Sequence, residues 1–185
     1  MSSEIENFRN QEFESSTDDR LLREWELLEE RFEYGKDKRI YYTIRKRNAS
    51  QLPTAYDIHF NIKTIVGVNP PNEQGLKTPV FGDNHIMRIT IPNNYPTDKL
   101  DIKFSTEVWH PNIRFFGEFK GHVCWTPDER SAHTHLVDLV DVVTDYLTYD
   151  DYHAENIHPY PEDLTVAEWV IEQAKPNGWL KFTQN

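Results

Sequence analysis

The chain has 185 residues, 37% hydrophobic, 13% aromatic and 28% charged, and its 20 Lys and Arg stand against 31 Asp and Glu for a formal net charge of −11. That aromatic content excludes a disordered chain, because it supplies the apolar area that offsets ordering entropy, and the negative charge repels phosphate backbones and anionic lipid, so generic nucleic-acid and membrane-surface binding are set aside. The single cysteine, Cys124, excludes an intrachain disulfide and any multi-cysteine zinc or iron–sulfur site.

In chain order, the opening MSSEIENFRNQEFESSTDD has neither the basic nor the apolar region of an export signal, and no stretch approaches the roughly 20 apolar residues of a membrane span. The expectation is a soluble protein of the reducing cytoplasm. Residues 1–17 read as a flexible acidic extension, 18–175 as one domain and 176–185 as a tail. Ser16, Thr17, Asp18 and Asp19 offer N-caps for a helix whose Leu21, Trp25, Leu28 and Phe32 share one face, with Gly35 as its stop. Residues 40–47 read as a first strand, and Tyr56, Ile58, Phe60, Ile62 and Thr64 alternate with polar residues in a half-buried second one.

Residues 67–84 hold Gly and Pro throughout and read as a long connection. Strand pattern returns at 85–91 and 101–105 around the turn PNNYPTDK, which completes a four-stranded antiparallel meander. Residues 108–127 lose all periodicity, as functional loops do. Leu136, Leu139, Val140, Val143 and Leu147 mark a second helix, and Val166 to Ala174 a third that stops at Pro176-Asn177-Gly178. The plan is α+β, without repeats. Charge is segregated along it: residues 1–35 carry 11 acidic and 4 basic groups, 36–47 carry 1 and 6, and 128–168 carry 11 and 1. Such blocks are solvated faces or docking surfaces.

Four ordered pieces, Ile89–Pro96 (ITIPNNYP), Lys103–Thr106 (KFST), His110–Ile113 (HPNI) and Gly121–Cys124 (GHVC), resemble the core of ubiquitin-conjugating (E2) enzymes. The resemblance implies their fold: an N-terminal helix, the four-stranded meander, a long active-site loop and two C-terminal helices. The chain departs from the usual pattern in three places. His110 to Cys124 spans 14 positions, about four more than is common, with IRFFGEFK in the extra room; Trp125 follows the cysteine; and the segment from Cys124 to the next helix is short. With the acidic NIHPYPEDL these features resemble divergent E2-like proteins of bacterial operons that also encode a ubiquitin-like protein and an E1-like enzyme.

The implied reaction moves an acyl group from an E1-like activating enzyme to a cysteine, and from that thioester to a lysine amine of a target protein. It needs no cofactor and no metal, and its partners are the E1-like enzyme, ubiquitin or a ubiquitin-like protein, and the protein substrate. A thiol suits both steps because its thiolate attacks readily and its thioester stays reactive to amines, which makes Cys124 the nucleophile. The resemblance assigns Asn112 to the oxyanion, where a neutral amide donor is wanted, and His110 to the same loop, as its organiser rather than a base. It assigns an acid before the third helix to the incoming lysine; Asp163 fits, with Glu162, Asp150 and Asp151 as competitors and a plain helix cap as the simpler role for Asp163. On the first helix, Arg23 and Arg31 are the exposed charges expected to meet the E1.

Other readings use the same residues. An RWD-type interaction module shares the fold without the cysteine. His122, Cys124, His133 and His135 could ligate zinc, and Cys124 with His133 or His135 could form a hydrolytic pair, although no hydrolase motif surrounds the cysteine.

Overall fold

The computed structural model describes residues 3–9, 15–32, 39–125, 134–158 and 160–184. Helix α2, Ser16–Phe32, follows the predicted stripe and buries Leu21, Trp25, Leu28 and Phe32. Removing each such side chain from water contributes about 1.5–3 kcal/mol, more than the propensity of any single turn. The cap stands one residue earlier than predicted: the Ser15 hydroxyl accepts from Thr17 N–H, while Asp18 accepts from Asn48 and Ser50 in the turn after the first strand. Gly35 lies outside the described residues.

Strands β1 (Ile40–Arg47), β2 (Pro53–Phe60), β5 (His85–Thr90) and β6 (Asp101–Phe104) pair antiparallel in the order β1-β2-β5-β6. Their inward residues, among them Tyr56, Ile58, Phe60, Met87, Ile89, Ile102 and Phe104, join α2 and helix α3 (Leu136–Thr148) in one apolar cluster. This is the predicted α+β plan with its antiparallel meander.

Two segments differ from the sequence reading. The 67–84 connection contains β4 (Pro79–Gly82), which pairs with β3 (Thr64–Val68) in a separate two-stranded sheet, and β2 ends at Phe60 where the alternation suggested a longer strand. The breakers sit where strands tolerate them: Gly67 flanks a register shift and Pro79 opens an edge strand. Within the expected N-terminal lead-in lies helix α1 (Ser3–Arg9), whose Ile5 is fully buried and whose Phe8 packs 5.9 Å from Trp25. Two apolar residues in seven are too few to mark a helix by period; the contact with α2 makes it.

Helix α4 (Leu164–Trp169) runs directly into a π-helical turn over Val170–Ala174 where one continuous α-helix was predicted. Val166, Trp169 and Val170 form a second apolar cluster with Ile65, Trp109 and Tyr149. Among the described residues, no helix is long and apolar enough to cross a membrane.

Candidate active site

The two motif segments HPN and GHVC meet because GHVC docks on the edge of the sheet and the HPN loop docks on GHVC. Phe104 N–H donates to Gly121 C=O at 2.8 Å and Val123 N–H to Ile102 C=O at 3.2 Å, so residues 121–123 run beside β6. Gly121 is required there: its φ is +88°, and a Cβ would lie 2.2 Å from the Phe104 carbonyl oxygen. On its other side this segment pairs with the loop, through the Ile113–Val123 bridge, Arg114 N–H to His122 C=O (2.8 Å) and Cys124 N–H to Asn112 C=O (2.8 Å). Asn112 and the only thiol are therefore neighbours through the main chain.

Cys124 is half-buried and opens into a cleft of about 200 Å³ lined also by Tyr95, Leu100, Ile102, His122, Trp125, Thr134 and Glu162. Asn112 is not among the lining residues. Its side-chain oxygen accepts from His153 N–H at 2.8 Å, an acceptor assignment forced by the amide donor, which leaves the NH2 end of the carboxamide as its donor.

His110 has no access to solvent. Its Nδ1 accepts from Asn112 N–H at 3.2 Å, so Nε2 carries the proton and donates to Asp151 C=O at 3.2 Å. Burial lowers its pKa to about 3, only partly offset by that carbonyl. A neutral imidazole with both nitrogens engaged organises the loop and cannot serve as a base, so among the candidate catalytic residues His110 is a brace. Tyr146 stacks on the ring at 4.8 Å, Tyr149 meets it edge-on, and the Tyr149 hydroxyl bonds the Trp109 carbonyl.

Asp163 requires a correction. It is 3% exposed; Oδ1 accepts from Thr165 and Val166 N–H as the N-cap of α4, and Oδ2 accepts from Phe115 N–H (2.9 Å) and Phe116 N–H (3.3 Å). Four backbone amides occupy the carboxylate, which leaves it no place for a lysine proton. Those same bonds hold the start of the IRFFGEFK stretch to the body of the protein, with Phe115 and Phe116 against Trp109 at 4.7 and 5.8 Å, while Phe116 and Phe119 keep much of their surface exposed. Of the acids weighed from the sequence, Glu162 lines the cleft, as Asp98 also does, and it lies 3.2 Å from Arg114 Nε. Asp150 is exposed and its carboxylate accepts from the Thr148 hydroxyl, while Asp151 uses its carbonyl on His110.

The α2 pattern puts Glu24 with the polar-face residues, and the structure corrects this. Glu24 is fully buried in α2 and accepts from Arg20 Nε (2.7 Å), Tyr95 OH (2.8 Å), His135 Nδ1 (3.1 Å) and Leu136 N–H (2.8 Å). Arg20 in turn reaches the Thr134 carbonyl and stacks over Tyr95. The available signal was position: Glu24 falls three residues after Leu21 and four before Leu28, on the apolar stripe. His135 is thus turned to Glu24, and His133 lies outside the described residues; among the described residues no group of three or more His, Cys, Asp or Glu could hold a metal ion. Arg23 and Arg31 sit half-exposed on α2, paired with Glu26 (3.3 Å) and with Asp141 of α3 (3.1 Å).

No protein-family model and no curated protein sequence matches the chain. Among solved structures, the E2 domain of a Toxoplasma gondii ubiquitin conjugating enzyme superposes with a TM-score of 0.54 at 21% identity, over 85% of this chain and 88% of that one. The chain has the E2 fold. A Plasmodium yoelii protein assigned as a ubiquitin conjugating enzyme gives 0.52 at 24% identity, over 89% and 90%. At such identity the likeness concerns backbone topology alone.

Proposed function

We propose that this protein accepts ubiquitin or a ubiquitin-like protein from an E1-like activating enzyme as a thioester on Cys124 and transfers it to a lysine amine of a protein target. The observation that carries the reading is the placement of the chain's single thiol at an open cleft, its amide bound to the Asn112 carbonyl, within an E2 fold. The long His110–Cys124 connection and its IRFFGEFK insert support a modifier of the divergent bacterial kind.

The lysine amine attacks the thioester carbonyl, the C–N bond forms, and the tetrahedral oxyanion collapses with loss of the Cys124 thiolate. Asn112 stabilises that oxyanion through its NH2 end, either from its resting position or after release from His153. Glu162, facing the cleft and paired with Arg114, takes the proton the amine must lose. Arg23 and Arg31 offer the exposed face of α2 to the activating enzyme.

The test is loading with E1-like enzyme, modifier and ATP, followed by single-turnover discharge to lysine. Wild type forms a reductant-sensitive adduct, and Cys124→Ser forms none or a reductant-resistant oxyester. Asn112→Ala loads but discharges roughly 10²–10³ more slowly. A reductant-sensitive adduct that survives Cys124→Ser sinks the proposal.

A further inference from the structure

We propose that Tyr146 is a positioning residue for the Cys124 nucleophile, its hydroxyl holding the main chain that bears the thiol while its ring holds the His110–Asn112 turn to the same helix. The proposal deepens the thioester reading and rests on it. Tyr146 lies in the last turn of α3 and is 8% exposed. Its hydroxyl donates to the Cys124 carbonyl at 3.5 Å, and on the opposite side the Cys124 N–H donates to the Asn112 carbonyl at 2.8 Å, so both polar groups of the residue are held.

The ring lies 4.8 Å from His110 with 22° between the planes, and His110 accepts the Asn112 N–H. One side chain on a rigid helix therefore touches both halves of the site, the loop that carries the thiol and the turn that carries the amide donor. Burial, then the negative groups Asp151 and Cys124, push the phenol to about 12, so at neutral pH it stays a donor. Nothing in the sequence separates Tyr146 from a core tyrosine, because its α3 stripe is read equally well as packing.

Tyr146→Phe keeps the stacked ring and deletes only the hydroxyl. One hydrogen bond of this kind is worth roughly two- to tenfold in a rate or an equilibrium, and its loss falls on the step that needs thiol and amide in register. The expected result is loading within about twofold of wild type, an unchanged KM for lysine, and single-turnover discharge at saturating lysine slower by roughly three- to tenfold. Iodoacetamide supplies a second readout that needs no partner protein: Cys124 is the only thiol, so its alkylation reports directly on how the residue is held, and Tyr146→Phe speeds it by about threefold. Melting temperature is recorded for both proteins.

Discharge and alkylation both at the wild-type rate overturn the assignment. So do discharge, loading and melting temperature that fall together while alkylation is unchanged, which would make Tyr146 a packing residue. If wild type takes no modifier onto Cys124 while Tyr146→Phe alters alkylation, the thioester reading fails and the positioning of the thiol stands.

Discussion

Two buried carboxylates anchor the two sides of the Cys124 cleft, and they do so by different chemistry. Asp163 accepts only backbone amides, two from its own helix and two from the Phe115–Phe116 loop, so it starts a helix and pins a loop. Glu24 accepts from the Arg20, Tyr95 and His135 side chains and from one backbone amide, Leu136 N–H, at the start of α3. The Asp163 anchor stays within the C-terminal half of the chain, whereas the Glu24 anchor joins α2 to Tyr95 and Thr134, which line the cleft from distant parts of the chain. A helix that presents Arg23 and Arg31 outward is thereby wired inward to the wall of the thiol cleft.

Acid separates the two sides most strongly. His110 belongs to the Asp163 side and is buried neutral, with a folded pKa of about 3 against about 6.5 for the unfolded chain. The folded state binds fewer protons than the unfolded one below the unfolded value, so the stability His110 allows is complete above pH 6.5 and is lost progressively as pH falls toward 3. The full loss is about 5 kcal/mol. His85, also lowered by burial, adds to it in the same direction. Urea unfolding from pH 7 to 4.5 checks this, and a flat midpoint across that range would show that His110 is not held neutral.

Glu24→Ala comes next, at about 3–5 kcal/mol, because it removes a buried ion-pair partner of Arg20 and leaves the Leu136 amide without its acceptor. Asp163→Ala costs about 2–3 kcal/mol, the loss of a cap plus two loop amides. Denaturant midpoints order the pair, and a larger loss at Asp163 would reverse the comparison. Charge reversal at Arg23 and Arg31 is the smallest effect on stability, within about 0.5 kcal/mol for exposed sites, yet it slows charging by the activating enzyme. An unchanged charging rate removes the outward face of α2 from that contact.

Much of the fold was legible because the signals were local. The α2 and α3 stripes and the strand alternation of 56–60 and 85–90 follow from side-chain period, and the resemblance of the HPN and Gly121–Cys124 segments to E2 enzymes pointed to the candidate site. Asp163 before Leu164 carried both of its candidate roles in the sequence, and its four amide bonds chose the cap. Helix α1 and β4 were missed because each owes its form to a partner: Ile5 and Phe8 to α2, and Pro79–Gly82 to β3.

By itself the sequence determined the α+β plan, the single thiol and its motif neighbours, since period, composition and spacing are properties of a linear chain. Only the tertiary structure decided that His110 is a sealed brace, that Glu162 and not Asp163 faces the cleft, and that Glu24 and Tyr146 hold the site from behind. Each of those is a matter of which polar atoms are left with partners once water is excluded, and burial is a property of the assembled fold.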